Sequence, residues 1–224
     1  MLHFIDYVEP EEIPALVISH GLYGSARNWA LIAKKLSQSR RVIAVDHRNH
    51  GLSPWYGTNS YENMAQDLAE VINLIGGPCD IVGHSMGGKA AMVLALTYPD
   101  LINRLCIVDI APVLYRHDQL KFIRAMQAVD LSQIKSRADV KRQLFTKVED
   151  ELVANFLAQS LDVKSKRWRL NLHILEMEMP KILSFPKICT TFQRATLFLS
   201  GAESRYVTRD MRELIKPYFP LSIF

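Results

Sequence analysis

The sequence predicts an α/β fold with a mostly parallel sheet and helices on both faces. Two observations carry this. Short apolar runs alternate along the chain with stretches whose apolar residues recur at helical spacing. The short runs are close to continuously apolar, as strands are when both of their faces are covered. A length of 224 residues, 49% of them hydrophobic, suits one large domain with a sizeable core.

The elements follow in order. Residues 2–8 read as an antiparallel edge strand. Residues 15–19 (ALVIS) form a buried strand that ends at His20-Gly21, and 28–36 are helical by period. Residues 41–46 (RVIAVD) give the next strand. Residues 61–75 carry an apolar stripe at Met64, Leu68, Val71, Ile72 and Ile75, with Ser60 placed to cap the helix. Residues 79–83 read as a strand, 86–98 as a helix and 105–110 as a strand. After Ala111-Pro112 the pattern changes. Up to about Phe185 the chain is helical and charged, without convincing strand character. Strand character returns at 196–200 (TLFLS), and a helix follows over 208–216. Residues 219–224 read as the start of one more strand. This assigns 1–112 and 186–224 to the core and 113–185 to a helical cap insertion. It also leads to the expectation of a product truncated at its C-terminus, with the last strand and helix missing.

The net charge of +4 is unevenly spread. Residues 115–185 hold 13 Lys/Arg against 9 Asp/Glu, and the rest of the chain has 14 of each. Solvated helix faces account for this most simply. A basic lid that attracts substrates with an anionic head is the sharper alternative. Cys79, Cys106 and Cys189 have neither metal nor redox spacing, which predicts buried thiols in a reducing, cytoplasmic setting. The acidic segment 1–12 lacks the basic flank and apolar run of a signal peptide. No stretch has the length or purity of a membrane span.

The strongest chemical signal is Gly83-His84-Ser85-Met86-Gly87, a G-x-S-x-G between a strand and a helix. Such a turn strains the serine backbone and presents Oγ at the C-terminal end of the sheet, beside a helix N-terminus. The glycines on either side remove side chains that would clash. A second signal is His20-Gly21-Leu22-Tyr23-Gly24 after an earlier strand. Acyl transfer builds negative charge on a carbonyl oxygen, and two backbone N–H groups must already point at it. Leu22 and Met86 are the candidate donors. The histidines of Asp46-His47-Arg48-Asn49-His50 lack carboxylate or thiolate partners at ligand spacing. A polar network bracing the loop is the expectation, with no metal and no cofactor.

These motifs, with Asp46-His-Arg-Asn-His-Gly-Leu-Ser-Pro54, Gly83-His-Ser-Met-Gly-Gly-Lys89 and Val108-Asp-Ile-Ala-Pro112, resemble the α/β-hydrolase-fold serine esterases of the bacterial YbfF type. The mitochondrial abhydrolase-domain relatives are similar. The match runs in order from about Leu16 to Tyr218. The resemblance implies a cofactor-free hydrolase of short or medium carboxylic esters or acyl thioesters, with a helical cap over the site. It implies small-molecule substrates, with no nucleic acid partner. It also implies a catalytic acid at Asp109 and a further site serine at Ser204. Glu203, in the loop where many α/β-hydrolases carry the acid, stays open as the alternative.

A serine nucleophile needs an imidazole to take its proton. The chain order of this fold is Ser, acid, His, and no histidine follows His173. Three readings follow: a serine ester hydrolase, a catalytically degenerate protein of hydrolase fold, and an acyltransferase. An aspartate nucleophile is excluded by Ser85 at the apex.

Overall fold

The computed structural model describes residues 1–8 and 13–224; residues 9–12, the end of the acidic N-terminal stretch, lie outside the described residues. A seven-stranded sheet organises the molecule. Its strands are β1 (Phe4–Tyr7), β2 (Leu16–Ser19), β3 (Val42–Val45), β4 (Cys79–His84), β5 (Ile102–Val108), β8 (Thr196–Leu199) and β9 (Ser222–Ile223). The spatial order is β1-β3-β2-β4-β5-β8-β9. Only β1 pairs antiparallel; the other neighbours run parallel.

The central strands β2 and β3 are buried at every position, which explains their unbroken apolar runs. Helices α1 (Ala30–Leu36), α2 (Tyr61–Leu74) and α3 (Met86–Thr97) connect the first strands. α2 buries Met64, Leu68, Val71 and Ile72, and Ser60 Oγ accepts from the Asn63 N–H at its start. α3 is buried from Met86 to Leu96, so it has no polar face. Full burial of side chains such as Met92 and Leu94 contributes roughly 1.5–3 kcal/mol each, and both are fully enclosed.

The register positions the site. Ser19 pairs with both Val45 and Gly83, His84 with Val108, and Val108 with Leu199. The C-terminal ends of β2, β4, β5 and β8 are therefore level. The loops starting at His20, Ser85, Asp109 and Ser200 all emerge along one edge of the sheet, the edge where parallel α/β sheets bind ligands.

Between β5 and β8 lie α4 (Leu120–Gln127), α5 (Arg137–Val148), α6 (Glu151–Ala158), α7 (Leu172–Met177) and α8 (Met179–Leu183). This segment departs from the sequence expectation in one respect. A small antiparallel hairpin, β6 (Leu161–Asp162) and β7 (Arg167–Trp168), interrupts the helices. Two-residue strands are too short to show alternation. The turn is instead fixed by Asp162, which accepts from the Lys164 and Ser165 N–H groups and pairs with Arg169.

Two expected helices are shorter or tighter than the periodicity suggested. Ala26–Trp29 and Arg209–Met211 are 3-10 turns leading into α1 and α9 (Arg212–Ile215). The prediction of buried thiols holds for Cys79 only. Cys106 is half-buried and Cys189 is exposed. β8 buries Thr196 and Phe198, while Leu197, Leu199, Leu221 and Ile223 are exposed near this sheet edge. Among the described residues no helix is long and apolar enough to cross a membrane.

Candidate active site

Ser85 stands between β4 and α3 with φ 51° and ψ −120°. A left-handed φ is costly for a residue with a Cβ, and it persists only where the surroundings enforce it. Here they do. The Ser85 N–H donates to Val108 O at 3.1 Å, and Ser85 O accepts from the Lys89 N–H at 3.0 Å. A Cβ on Gly83 would lie 2.6 Å from Gly87 O, and one on Gly87 would lie 2.4 Å from both Ser19 O and His20 O. The glycines are thus required by close backbone approach, as the motif implied.

Ser85, Met86 and Leu22 border one cavity of about 500 Å³. Its walls are largely apolar, with Trp29 and Ile32 on one side and Val153 and Phe156 of α6 on another. No described residue accepts a hydrogen bond from the Leu22 or the Met86 N–H, and none bonds Ser85 Oγ. Tyr23 holds the Leu22 loop in place. Its φ is 64°, its N–H donates to His50 Nε2 at 3.3 Å, and its carbonyl accepts from Ser160 Oγ at 3.0 Å. Its own hydroxyl donates to Gln119 O at 2.9 Å.

Asp109 follows β5 with φ 56°, and its N–H donates to Leu199 O at 2.8 Å. Its Oδ1 is buried with no hydrogen-bond partner. The carboxylate favours the charged form of His84, although burial dominates and holds that imidazole below its ordinary value. Ser204 sits apart from Ser85. It borders a separate cavity beyond β8, and its Oγ accepts from the Tyr206 N–H at 3.2 Å. The Tyr206 side chain does reach the Ser85 cavity. Glu203 is exposed and lines neither cavity.

The histidines divide into groups. His20, His47 and His50 form a buried network behind the Leu22 loop. His20 Nδ1 donates to Gly21 O at 2.8 Å, and its Nε2 accepts from the His47 N–H at 3.0 Å. The Ser19 hydroxyl donates to Gly87 O, so the 2.6 Å contact with His47 Nε2 is an N–H donated to Ser19 Oγ. His50 Nδ1 donates to Arg48 O at 2.8 Å. Burial lowers all three imidazoles, His50 to about 3, and keeps them neutral. Arg48 forms a two-pronged ion pair with Asp67 at 2.6 and 2.8 Å. The loop from Asp46 is thus the polar brace the sequence suggested. His3 pairs with Asp46, and His173 is exposed.

Four cavity residues carried no assigned role in the sequence. Lys89, Tyr115, His117 and Tyr206 line the cavity in mutual contact. Tyr115 Oη donates to Tyr206 O and accepts from the Ala111 N–H. Lys89 is 1% exposed, and its Nζ donates to Val113 O, Leu183 O and Ser184 O at 2.8, 2.9 and 2.6 Å. The Gly-Gly-Lys extension of the serine motif was the available signal for it. Lys164, Lys166 and Arg167, the basic residues of the hairpin, do not line the cavity.

Residues 14–221 match the model of the alpha/beta hydrolase fold family. The chain belongs to the α/β-hydrolase family. A mouse relative named sn-1-specific diacylglycerol lipase ABHD11 is 42% identical over 221 residues, covering 93% of this chain and 71% of that protein. The Escherichia coli esterase YbfF is 35% identical over 209 residues, covering 92% and 80%. Among solved structures, a marine microorganism esterase superposes with a TM-score of 0.91 at 35% identity, covering 99% of this chain and 88% of its own. The chain is thus similar to members of the family named as esterases and lipases.

Proposed function

We propose that the chain is a serine hydrolase of carboxylic esters that works through an acyl-enzyme. Ser85 Oγ attacks the acyl carbonyl. The carbonyl oxygen becomes an oxyanion and receives the Leu22 and Met86 N–H groups, which have no other acceptor among the described residues. As the acyl-serine forms, the Oγ proton passes to the departing alcohol; water then adds its hydroxyl to the acyl group and returns a proton to Ser85 Oγ as the acid leaves. The segment 113–185 acts as a cap, with Val153 and Phe156 closing the cavity from above. A largely apolar space of about 500 Å³ suits a short or medium acyl chain, as an ester or thioester. Three unpaired cysteines support a reducing compartment, the cytoplasm.

The observation that carries the reading is the strained Ser85 at the floor of this cavity, level with two free N–H donors. Asp109 is the acid we favour over Glu203, because its buried Oδ1 is an unused acceptor and Glu203 is exposed. No histidine among the described residues hydrogen-bonds Ser85 Oγ or the Asp109 carboxylate.

The test uses the 224-residue chain. A fluorophosphonate probe is expected to label it at Ser85, and Ser85→Ala abolishes labelling. Asp109→Asn slows p-nitrophenyl ester turnover, and Glu203→Gln leaves it unchanged. A folded chain that neither labels nor turns over any ester is the degenerate protein, and the proposal fails. Product analysis with an added alcohol separates hydrolysis from acyl transfer.

A further inference from the structure

One face of the sheet loses its cover part-way across. The row Ala44, Ile18, Val82, Cys106, Leu197 and Ile223 crosses β3, β2, β4, β5, β8 and β9 on a single face, because each residue is the register partner of the next. Ala44 and Ile18 lie in a small apolar cluster with Ala33 of α1, and Val82 borders that cluster. Beyond Val82 the exposure climbs. Cys106 is half-buried, Leu197 is 40% exposed and Ile223 58%. The next row repeats the trend, from half-buried Val108 to Leu199 at 53%. Cys106, Val108, Leu197, Leu199 and Ile223 belong to neither hydrophobic cluster of the described residues. The opposite face differs: Leu105, Ile107 and Phe198 are buried in the main core.

Leu221, two residues before Ile223, is also 53% exposed. Leu197, Leu199, Leu221 and Ile223 together offer about 400 Å² of apolar surface, the size at which an exposed patch marks an interaction site. A stable dimer buries about 800 Å² on each partner, of which about 450 Å² is apolar. The four large side chains, with half-buried Val82, Cys106 and Val108, supply that share. The charges around the patch are mixed. Arg104 and the Asp100–Arg194 pair stand near the N-terminal ends of β5 and β8, and Glu203 and Arg205 follow the C-terminal end of β8. Arg209, Asp210, Arg212 and Glu213 lie in the turns beyond. Both signs occur on every side, so no field selects an oppositely charged partner or repels a second copy. Apolar sheet faces pack on one another about 10 Å apart.

We propose that this chain pairs with a second copy of itself through the open face of β5, β8 and β9, about a two-fold axis. Cys106, Val108, Leu197, Leu199 and Ile223 of each copy lie in the contact, so every one of them counts twice. The pairing does not rest on the serine-hydrolase reading.

Sedimentation velocity of the full chain tests this. The mass should be twice 25.6 kDa at about 10 µM, since interfaces of this size reach micromolar affinity or better. Leu199→Glu should raise the dimer Kd at least about a hundredfold, because the loss falls on both copies. Leu152→Glu, on α6 in the helical segment, should leave it unchanged. Cys106 gives a readout that needs no variant. Its alkylation by iodoacetamide should slow as the chain is concentrated. Exposed Cys189 precedes Thr190, whose hydroxyl donates to Leu96 O of α3 on the other face, and should react at a constant rate. A chain that stays monomeric at about 10 µM overturns the proposal. So does a dimer that Leu199→Glu, folded by circular dichroism, leaves intact, a dimer that Leu152→Glu dissolves, or Cys106 alkylation indifferent to concentration. A monomer that retains a different protein on this face overturns it equally. Fluorophosphonate labelling of the same preparation reads the serine-hydrolase proposal separately.

Discussion

Replacing Lys89 by methionine tests whether one amine holds the helical segment over Ser85. Lys89 sits in the first turn of α3, and its N–H is bonded to Ser85 O. Its Nζ reaches Val113 O, where the chain leaves the sheet, and also Leu183 O and Ser184 O, where the last helix of the segment ends. Both roots of the segment are therefore fastened at one point. The rings of Tyr115 and Tyr61 lie 4.9 and 5.7 Å from the same amine. A methionine side chain would keep most of the length and lose every donor. Each carbonyl left without its partner costs about 1–3 kcal/mol. Against this, burial pushes the Lys89 pKa down to about 7, so part of the loss is offset when the buried amine is removed. The expected net destabilisation is about 2 kcal/mol, a fall in melting temperature of roughly 4–8 °C for a chain of this size. Hydrogen exchange gives the local readout. The Tyr115 N–H donates to Leu183 O, one of the three acceptors, at 3.0 Å. Its exchange should speed up in Lys89→Met more than that of the β4 amides. An unchanged melting temperature together with unchanged Tyr115 protection would refute the clasp.

Two further outcomes follow from the same geometry. Gly87→Ala places a Cβ 2.4 Å from two carbonyl oxygens and 2.5 Å from Ser19 Oγ, so α3 must move off β2. Thermal unfolding should show a loss of about 3 kcal/mol, whereas Gly57→Ala, with nothing within 4 Å, serves as the neutral control. Acid should also weaken the fold. Burial holds the pKa values of His20, His47 and His50 below 6.5 in the folded chain, His50 at about 3. Below pH 6.5 the unfolded chain takes up protons that the native chain refuses. Stability is therefore full above that pH and falls as pH drops below it; for His50 the loss is about 1.4 kcal/mol per pH unit down to about pH 3. Urea unfolding at pH 7 and pH 5 measures this, and equal stabilities at the two values would contradict the neutral network.

The sheet was legible because its strands are buried on both faces and so leave unbroken apolar runs. The serine turn was legible because a strained strand-to-helix junction admits little besides glycine at Gly83 and Gly87. Other features had no such local mark. The hairpin of β6 and β7 is too short to alternate, and only the turn chemistry of Asp162 betrays it. His117 and Tyr206 are 89 residues apart in sequence, yet their rings meet at 5.3 Å. Their meeting depends on how the helical segment folds back, which periodicity does not encode. Lys89 was visible as a motif residue, but its three acceptors come from the two ends of an insertion, and a motif records neither.

What the fold leaves unpaired supports the proposed chemistry more than what it pairs. Polar groups nearby are bonded: His20 and His50 through both ring nitrogens, the Arg48–Asp67 pair, and Lys89 with three carbonyls. In the same neighbourhood the Leu22 and Met86 N–H groups lack acceptors, and Asp109 Oδ1 is buried without a donor. An orphaned buried polar group costs about 1–3 kcal/mol. Two donors and an acceptor, on loops brought level by strand register and grouped around a serine held at positive φ, are what an acyl-transfer site keeps in reserve. In the proposed mechanism the donors would receive the oxyanion, and the carboxylate would accept the N–H of a base.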